Sequence, residues 1–363
     1  MQNLNRPRAV VFENHCRKTI NKMVGKAERS RAAFRPHFKT HQSHRIGRWF
    51  ADEGVSGITV STPQMATYFA QDGWDDITIA FPFYRQQLSE INQLSDNCTI
   101  RLFVQNTDDT KYLDSSLKNP VELMIEIDAG YNRSGLSYLE KETIDDLVRS
   151  MNTASNVIFK GFYSHDGGTY HVHGKEAVRQ TIERDLKAFI DLHDRYPNVE
   201  YGLGDTPSSS LLDDLSPSTE LSPGNLIFYD LMQIEIGSCS YDDLGMLIQV
   251  PVVQEKPDDD QCIIHGGAVH FSKERLNING KDCYGQPVLV SKNGSIQKID
   301  GTSLIALSQE HGTVSGLKAL KRSINTDRLT ELWICPVHSC LAANLFEEYT
   351  TPAGEIIEKR VLS

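Results

Sequence analysis

The chain between about residues 32 and 230 alternates between two hydrophobic patterns. Short runs of β-branched and aromatic residues precede longer polar stretches in which apolar residues recur at helical spacing. The short runs predict eight strands, at residues 32–40, 57–60, 76–82, 99–105, 121–128, 157–165, 199–205 and 225–230. The clearest helices are predicted at residues 62–73, 84–96, 137–151 and 174–197. Eight strand–helix units predict an α/β fold with a parallel (β/α)8 barrel of the TIM type.

The helix predicted at residues 174–197 has the most regular apolar face, with Lys and Glu between its members. That face consists of Val178, Ile182, Leu186, Phe189, Ile190 and His193.

The pattern changes after about residue 246, where long helical stretches give way to short strands separated by Gly, Asn and Asp turns. These strands are predicted within residues 246–255, 262–272, 286–301, 329–338 and 354–363. We therefore predict a barrel domain over residues 20–245 and a smaller all-β domain over residues 246–363, which also includes residues 1–19.

The composition narrows the classes of partner. The formal net charge is −11, from 37 basic and 48 acidic residues, which disfavours nucleic acid and anionic membranes. No apolar run approaches the roughly 20 residues that span a bilayer, and the first 20 residues lack the apolar core of a signal peptide. Seven scattered cysteines do not suggest a disulfide framework, so a cytoplasmic location is expected.

Candidate chemistry lies at the predicted strand exits, where the loops of a barrel build its site. Lys39 ends the first predicted strand and either points into the barrel mouth or is an ordinary surface lysine. Arg133 follows the fifth strand, in a loop that could equally be a solvated turn. Four aromatic side chains cluster around the exit of the sixth strand, namely Tyr163, His165, Tyr170 and His171.

Two later loops, GLGDTPSSS and ELSPGN, are rich in Gly, Ser and Thr. Backbone amides and hydroxyl groups of this kind form the phosphate sites of barrels, although such loops are also common elsewhere.

A third cluster lies in the predicted β domain, in ICPVHSCLAANL. His338 and Cys340 are two residues apart and face the same way on an extended segment. An imidazole and a thiolate favour zinc, whereas the simpler interpretation is a buried cysteine beside a hydrogen-bonded histidine. Cys335 is interpreted as a core residue.

Seven segments together resemble the eukaryotic-type D-serine dehydratases and their relatives, the D-threonine aldolases and D-threo-3-hydroxyaspartate dehydratases. In chain order they are RPHFKTH, EIDAGYNRSGL, YSHDGGTYH, GDTPSSS, SPGNLIFYD, SQEHG and CPVHSCLAANL.

The resemblance implies an alanine-racemase-like barrel with a β domain, usually in a homodimer. It implies that Lys39 carries pyridoxal 5'-phosphate and that His338 and Cys340 bind Zn²⁺ or another divalent metal. The implied cofactor contacts are Tyr163 and Tyr170 at the ring and Thr206, Gly224 and Asn225 at the phosphate. Additional candidates are His165, Arg133 and His311.

Two departures from the family pattern are visible. Gln42 stands where the family often has lysine, which would alter loop contacts. Ser222 precedes Pro223 and Gly224 where bacterial alanine racemases have the arginine that faces the pyridine nitrogen, which weakens a racemase interpretation.

The predicted reaction is conversion of a D-3-hydroxy amino acid, D-serine or 3-hydroxy-D-aspartate, to a 2-oxo acid and ammonia. Zinc would assist the departure of hydroxide, and the thiolate of Cys340 ranks this dehydratase above a D-threonine-type aldolase. Two further alternatives are a non-catalytic protein that binds pyridoxal phosphate and a metal-dependent barrel hydrolase without that cofactor.

Overall fold

A computed structural model describes residues 4–360. They form two compact units, one comprising Asn21–Gly224 and the other comprising the chain up to Ile20 together with the chain from Asn225 onward. The first strand of the large antiparallel sheet after the barrel begins at Met246, where the sequence pattern changes. Residues 225–245 hold short helices and group with the second unit. The functional division at 245/246 stays a prediction.

The chain begins with strand β1 (Arg8–Val11) and helix α1 (Glu13–Arg29). The strands of the first unit are β2 (Ala33–Phe34), β3 (Ile58–Val60), β4 (Asp76–Pro82), β5 (Thr99–Val104), β6 (Val121–Asp128), β7 (Leu136–Ser137), β8 (Val157–Ser164), β9 (Glu200–Leu203) and β10 (Glu220–Leu221). Its other helices are α2 (His44–Asp52), α3 (Pro63–Ala70), α4 (Leu88–Leu94), α5 (Thr107–Ser116), α6 (Lys141–Thr153), α7 (Lys175–Arg195) and α8 (Thr206–Leu211).

Eight of these strands form a parallel sheet in the order β2-β10-β9-β8-β6-β5-β4-β3, and β7 pairs only with β6. The segment after β2 returns to β3, because His37 forms a parallel bridge with Thr59 and the Phe38 N–H donates to the Thr59 carbonyl at 2.8 Å. The sheet therefore curls back on itself, as the strand–helix alternation predicted.

Buried ion pairs fill the barrel interior near the amino-terminal ends of its strands. Glu220 Oε2 accepts hydrogen bonds from Arg35 Nε at 2.8 Å and from Arg101 Nη1 at 2.7 Å. Arg101 also binds Glu122 at 3.0 Å. Breaking such a buried network by removing one partner is strongly destabilising, so this end of the barrel is specialised for stability and leaves the opposite end for chemistry.

The eighth strand is not where the sequence pattern placed it. Residues 225–227 form a turn of 3-10 helix, and the eighth strand is β10, ahead of Pro223. The run 225–230 is apolar without a two-residue period, and such a short run cannot be distinguished from a buried helical turn by periodicity. The correction places Gly224 after a strand, at its carboxyl end.

Helix α7 is confirmed, but its buried face is rotated from the predicted one. Val178, Ile182 and Phe189 are buried, whereas Ile190 is 51% exposed. The other buried members are Asp185, Ala188 and Leu192. Hydrophobicity could not reveal a buried aspartate, which is held there by a hydrogen bond from the Ser164 hydroxyl.

The second unit is built mainly from antiparallel strands. Its remaining strands are β11 (Met246–Lys256), β12 (Gln261–His265), β13 (Leu276–Ile278), β14 (Lys281–Cys283), β15 (Gly285–Val290), β16 (Ile296–Lys298), β17 (Ser303–Leu307), β18 (His311–Ser315), β19 (Glu331–Pro336), β20 (Glu348–Thr350) and β21 (Ile356–Glu358). Its short helices are α9 (Leu231–Ile236), α10 (Ala268–Phe271), α11 (Leu317–Ile324) and α12 (Ser339–Ala343). The main sheet contains all of these strands except β13 and β14, together with β1.

Within residues 4–360, no helix is long and apolar enough to cross a membrane. All seven cysteines are free thiols, and Cys335 is fully buried, as expected for a core residue. The ends of the predicted segments 1–19 and 354–363 extend beyond the described residues.

Candidate active site

Lys39 is the exposed residue of an otherwise buried turn directly after the bridge that closes the barrel. Its amide N–H donates to His37 Nδ1 at 3.3 Å, and its carbonyl accepts a hydrogen bond from Gln42 Nε2 at 3.1 Å. Gln42 adopts a φ of 45°, in the left-handed region. The residue that departs from the family pattern therefore contacts the backbone of Lys39 itself.

Gly224 packs directly against this turn. A Cβ atom added at Gly224 would lie 3.0 Å from the His37 carbonyl oxygen and 3.3 Å from Thr40 Oγ1. The position consequently favours glycine, and the loop after β10 lies beside the residues that flank Lys39.

Two histidines near Lys39, buried His37 and partly buried His165, are kept neutral. Burial, then the charges of Arg133 and Lys39, lowers the pKa of His165 to about 3. Burial, then Lys39 and His165, lowers the pKa of His37 well below its ordinary value. Because β2, β6 and β8 belong to one parallel sheet, the residues after their carboxyl ends share one side of the barrel with Lys39.

Arg133 is half exposed, and its guanidinium lies 3.6 Å from Glu126 Oε1. It influences both histidines from the loop after β6, so this predicted residue lies on the same side of the barrel as Lys39.

Tyr163, the penultimate residue of β8, is buried against Phe103, with ring centroids 4.6 Å apart. A Cβ atom at Gly204 would lie 1.7 Å from the Tyr163 hydroxyl oxygen, and one at Gly202 would lie 2.7 Å from its ring. Both glycines in GLGD therefore make room for this tyrosine. Burial, then the charge of Glu126, raises the pKa of Tyr163, so the phenol remains protonated.

The predicted phosphate contact Thr206 is fully buried at the start of α8. Its N–H donates to the Tyr170 hydroxyl at 3.2 Å, which joins two predicted cofactor contacts. Its Oγ1 has no hydrogen-bond partner among the described residues. A buried hydroxyl without a partner is costly, and a phosphate oxygen would satisfy it, so this side of the barrel fits pyridoxal phosphate.

Three buried carboxyl groups beneath this region, Asp166, Asp185 and Asp205, were not predicted. Asp166 accepts a hydrogen bond from the Gly168 N–H at 2.7 Å, and Asp205 accepts one from the Ser208 N–H at 2.8 Å. Burial raises the pKa of Asp205 to about 6, and burial together with Asp166 raises that of Asp185. The signal for two of them was an aspartate directly after a strand in SHDGG and GLGD.

In the second unit, His338 and Cys340 flank the start of α12 and form a hydrogen bond through their side chains. Asp230, fully buried, accepts hydrogen bonds from the Ser339 N–H at 2.8 Å and from Asn225 Nδ2 at 2.6 Å. Asn225 Nδ2 also lies 3.5 Å from Cys340 Sγ. Asn225, expected at the phosphate, thus contacts the predicted metal ligand, and its phosphate role stays a prediction.

The charges around His338 favour a cation. Burial acts to lower its pKa, but the hydrogen bond with Cys340, the charge of Cys340 and the charge of Asp230 raise it to about 9. The field that favours a proton here also favours a divalent metal, and an imidazole–thiolate pair leaves coordination positions open for other ligands. The donor set therefore fits zinc. His311 begins β18, is exposed and pairs with His265 in the sheet, so its role stays a prediction.

Two parts of the chain match families of known proteins. Residues 13–231 match the family described as alanine racemase, N-terminal domain, and residues 246–351 match a putative serine dehydratase domain. A D-serine dehydratase of Dictyostelium discoideum is 25% identical over 96% of this chain and 93% of its own length.

Solved structures show the same fold. The D-threo-3-hydroxyaspartate dehydratase of Delftia sp. HT23 superposes with a TM-score of 0.87 at 24% identity, covering 99% of this chain and 98% of that one. A cysteine-to-alanine variant of a D-threo-3-hydroxyaspartate dehydratase has been solved in a metal-free form. The D-threonine aldolase of Filomicrobium marinum gives a TM-score of 0.79 at 19% identity, covering 97% and 93% of the two chains.

The family match over residues 13–231 covers more than half of the chain. The match to the serine dehydratase domain begins with β11 and contains the His338–Cys340 pair. The chain therefore belongs to the alanine racemase N-terminal domain family and is a D-serine dehydratase-like lyase within it.

Proposed function

We propose that the protein is a pyridoxal-phosphate- and zinc-dependent dehydratase that converts a D-3-hydroxy amino acid to a 2-oxo acid and ammonia. D-serine and 3-hydroxy-D-aspartate are the proposed substrates. The observation that carries the proposal is the His338–Cys340 pair beside buried Asp230, within a region that matches the serine dehydratase domain. A dehydratase needs help for a poor leaving group, and such a pair can hold the metal that gives it.

The barrel residues would hold the cofactor. Lys39 would bind it covalently, Thr206 would donate its free hydroxyl to the phosphate, and Tyr170 would orient Thr206 through the hydrogen bond to its amide. Pyridoxal phosphate, when bound, supplies an electron sink for the charge that develops at the substrate α-carbon.

Lys39 is the proposed base. When its side-chain amine is not bound to the cofactor, Lys39 could accept the proton from the substrate α-carbon. His165 and His37 are neutral across the ordinary pH range, so neither adds a positive charge beside the cofactor. Tyr163, packed against Phe103, would form an apolar wall that excludes water from this part of the barrel.

His338 and Cys340 would hold the metal, and Asp230 would stabilise its charge. A zinc ion there would supply Lewis acidity to a departing hydroxyl group. The thiolate selects a soft metal over Mg²⁺ or Mn²⁺, which favours the dehydratase over the aldolase. The existence of a metal-free form of a cysteine-to-alanine variant of a D-threo-3-hydroxyaspartate dehydratase supports a metal-dependent reaction here.

The alternative is a D-threonine-type aldolase, because a D-threonine aldolase has the same fold. Incubation of the holoenzyme with D-serine, D-threonine and 3-hydroxy-D-aspartate separates the two functions. We expect 2-oxo acid and ammonia. Glycine plus an aldehyde, without oxo acid, would contradict the dehydratase, and no turnover with intact cofactor would favour the non-catalytic alternative.

The cofactor attachment has a spectroscopic test. Wild type with pyridoxal phosphate should show a visible absorption band that borohydride bleaches, whereas Lys39→Ala should lack it. Lys22→Ala, which removes an exposed lysine of α1, is the matched control and should keep the band. A protein without this band would be compatible with the metal-dependent hydrolase instead.

A homodimer in a reducing, cytoplasmic compartment completes the proposal. Seven free thiols support the compartment, and sedimentation equilibrium would measure the oligomeric state.

A further inference from the structure

A second group of metal-ligating side chains lies in the β unit, on residues that the proposed reaction does not use. His265, His270 and Glu310 each offer a ligand atom within 4.8 Å of those of the other two. His265 Nε2 lies 3.7 Å from Glu310 Oε2, and the two imidazole rings are almost perpendicular at a centroid distance of 5.6 Å. Two imidazoles and one carboxylate are the protein ligands of an open zinc site.

Backbone hydrogen bonds between two loops hold this group. β12 ends at His265, which pairs in register with His311 at the start of β18. Beyond that pair, the Gly266 N–H donates to the Glu310 carbonyl at 2.9 Å and the Ala268 N–H donates to the Ser308 carbonyl at 2.8 Å. The backbone of Glu310 is therefore fixed against the turn that separates the two histidines.

Glycines allow the two loops to touch. A Cβ atom at Gly267 would lie 2.2 Å from the Gln309 carbonyl oxygen, and one at Gly312 would lie 2.6 Å from the Gly266 carbonyl oxygen. Side chains at these positions would force the loops apart and separate the three ligands. A rigid backbone frame reduces the entropy that metal binding must overcome.

The spacing suits a small divalent cation after a modest side-chain adjustment. Metal–nitrogen bonds of about 2.1 Å place tetrahedral ligand atoms about 3.4 Å apart. The His265 and Glu310 side chains are 37% and 49% exposed, so each can rotate toward a metal from solvent. That exposure also leaves room for water as a fourth ligand.

The group differs chemically from the His338–Cys340 pair, because it contains no thiolate. The His270 ring lies 5.9 Å from that of Phe346, shortly after α12, so both groups belong to the β unit. We propose that His265, His270 and Glu310 form a second divalent-cation site, additional to the one at His338 and Cys340. This inference goes beyond the proposed function and does not depend on it.

Metal content in the holoenzyme tests the proposal. Wild type equilibrated with Zn²⁺ and then desalted should carry two zinc ions per chain by inductively coupled plasma mass spectrometry. The double variant His338→Ala/Cys340→Ala should keep one. Adding Glu310→Gln to that double variant should weaken the remaining zinc affinity at least about 100-fold in calorimetric titration, since loss of even an outer-shell partner costs about 10–100-fold.

His311→Gln in the same double variant is the matched control, because it removes a histidine from the same sheet pair without touching the three ligands. It should keep the remaining zinc ion. Glu310→Gln changes an exposed side chain, and circular dichroism would verify its fold; His265→Ala provides an independent second variant.

Cobalt gives a readout that separates the two sites. Cobalt-loaded Glu310→Gln should keep the thiolate-to-metal charge-transfer band of Cys340, whereas cobalt-loaded His338→Ala/Cys340→Ala should lack it and retain the weaker d–d bands. The proposal is overturned if the double variant binds no metal, or if adding Glu310→Gln leaves its zinc affinity unchanged. Failure of the His338–Cys340 site alone would appear as loss of the charge-transfer band from wild type.

Discussion

At the scale of single residues, the cofactor side of the barrel contains a buried polar atom that forms no hydrogen bond within the described residues. That atom is Thr206 Oγ1, on a fully buried residue. An unsatisfied buried hydroxyl lowers stability, so its retention is more easily explained by a ligand than by the fold.

Thr206→Val should change protein stability and cofactor affinity in opposite directions. The cofactor-free variant should be as stable as wild type, or more stable by up to about 1–3 kcal/mol, because an unsatisfied hydroxyl is removed. Its affinity for pyridoxal phosphate should fall about 10–100-fold, since a hydrogen bond to a charged group contributes about 1.5–3 kcal/mol. Urea unfolding and fluorescence titration would measure the two quantities.

Thr78→Val is the matched control for that prediction. Thr78 lies in β4, is fully buried, and its hydroxyl also lacks a partner among residues 4–360. It should share the effect on stability and leave cofactor affinity unchanged. Equal losses of cofactor affinity in the two variants would argue against a phosphate contact at Thr206.

The Cys340 side chain gives a second prediction at this scale. Cys340→Ala should lower the zinc content of the holoenzyme by one ion per chain and lower dehydratase kcat by at least about 100-fold, if the metal stabilises the leaving group by several kcal/mol. Cys98→Ala, on a partly exposed thiol of the barrel unit, is the control and should change neither quantity. Full activity of metal-depleted Cys340→Ala would exclude a role for this metal in elimination.

At the scale of elements, strands β8 and β9 are fitted to each other through glycine. Gly204, directly after β9, lies where any Cβ would overlap the Tyr163 hydroxyl, and its carbonyl accepts the Nδ1 hydrogen bond of His165. The loop after β9 thus determines the positions of two aromatic side chains that leave β8. Glycine is favoured at position 204 because the loop after β9 packs closely against Tyr163 of β8, and not because of its own backbone conformation.

Gly204→Ala should therefore destabilise the protein by at least about 1–3 kcal/mol, the usual cost of overpacking, and should also weaken cofactor binding by displacing Tyr163. Gly25→Ala is the matched control, because Gly25 lies inside helix α1, where an added Cβ would meet only the flexible Arg29 side chain, 3.4 Å from its Nη1. The control should gain about 0.5–1 kcal/mol from helix propensity. Thermal unfolding distinguishes the two, and a neutral Gly204→Ala would show that Tyr163 is free to move.

At the scale of the whole molecule, burial of neutral histidines makes stability depend on pH. The unfolded chain protonates His165 below about pH 6.5, whereas the folded chain keeps it neutral down to its pKa of about 3. The unfolded state then binds more protons, so this histidine removes stability as the pH falls through that window. The raised pKa of Asp205 has the opposite effect: below about pH 6 the folded state binds a proton there more readily, which increases stability as the pH falls. The contribution of His165 is therefore measured with a variant of that residue alone.

We expect cofactor-free wild type to lose stability on acidification faster than His165→Asn, by about 1.4 kcal/mol per pH unit between pH 6 and 4. Urea unfolding at a series of pH values measures that difference in slope. His193→Asn, at an exposed histidine of α7, should follow wild type. Parallel curves for wild type and His165→Asn would mean that the folded protein protonates His165 at ordinary pH.

Much of the molecule follows from local pattern. β4 and β6 span the predicted residues without change, because each is a β-branched run bounded by turn residues. The first seven strands of the barrel, the parallel barrel fold and the change of pattern at residue 246 were predicted from sequence, whereas the eighth strand was predicted in the wrong place. Lys39 and Arg133 were proposed for chemistry because they follow predicted barrel strands, where a parallel barrel gathers its loops. His338 and Cys340 were proposed from their spacing in the β domain.

Other features required the tertiary structure, because they depend on contacts between residues distant in the chain. The eighth strand is two residues long and is defined by its neighbours β9 and β2 rather than by its own composition. The buried carboxyl group of Asp185 is stabilised by a hydrogen bond that the Ser164 hydroxyl donates to it. Glycine is required at position 204 because the Tyr163 hydroxyl lies where a Cβ atom would be. His270 and Glu310 are 40 residues apart in sequence, so only the pairing of β12 with β18 brings these two ligands together.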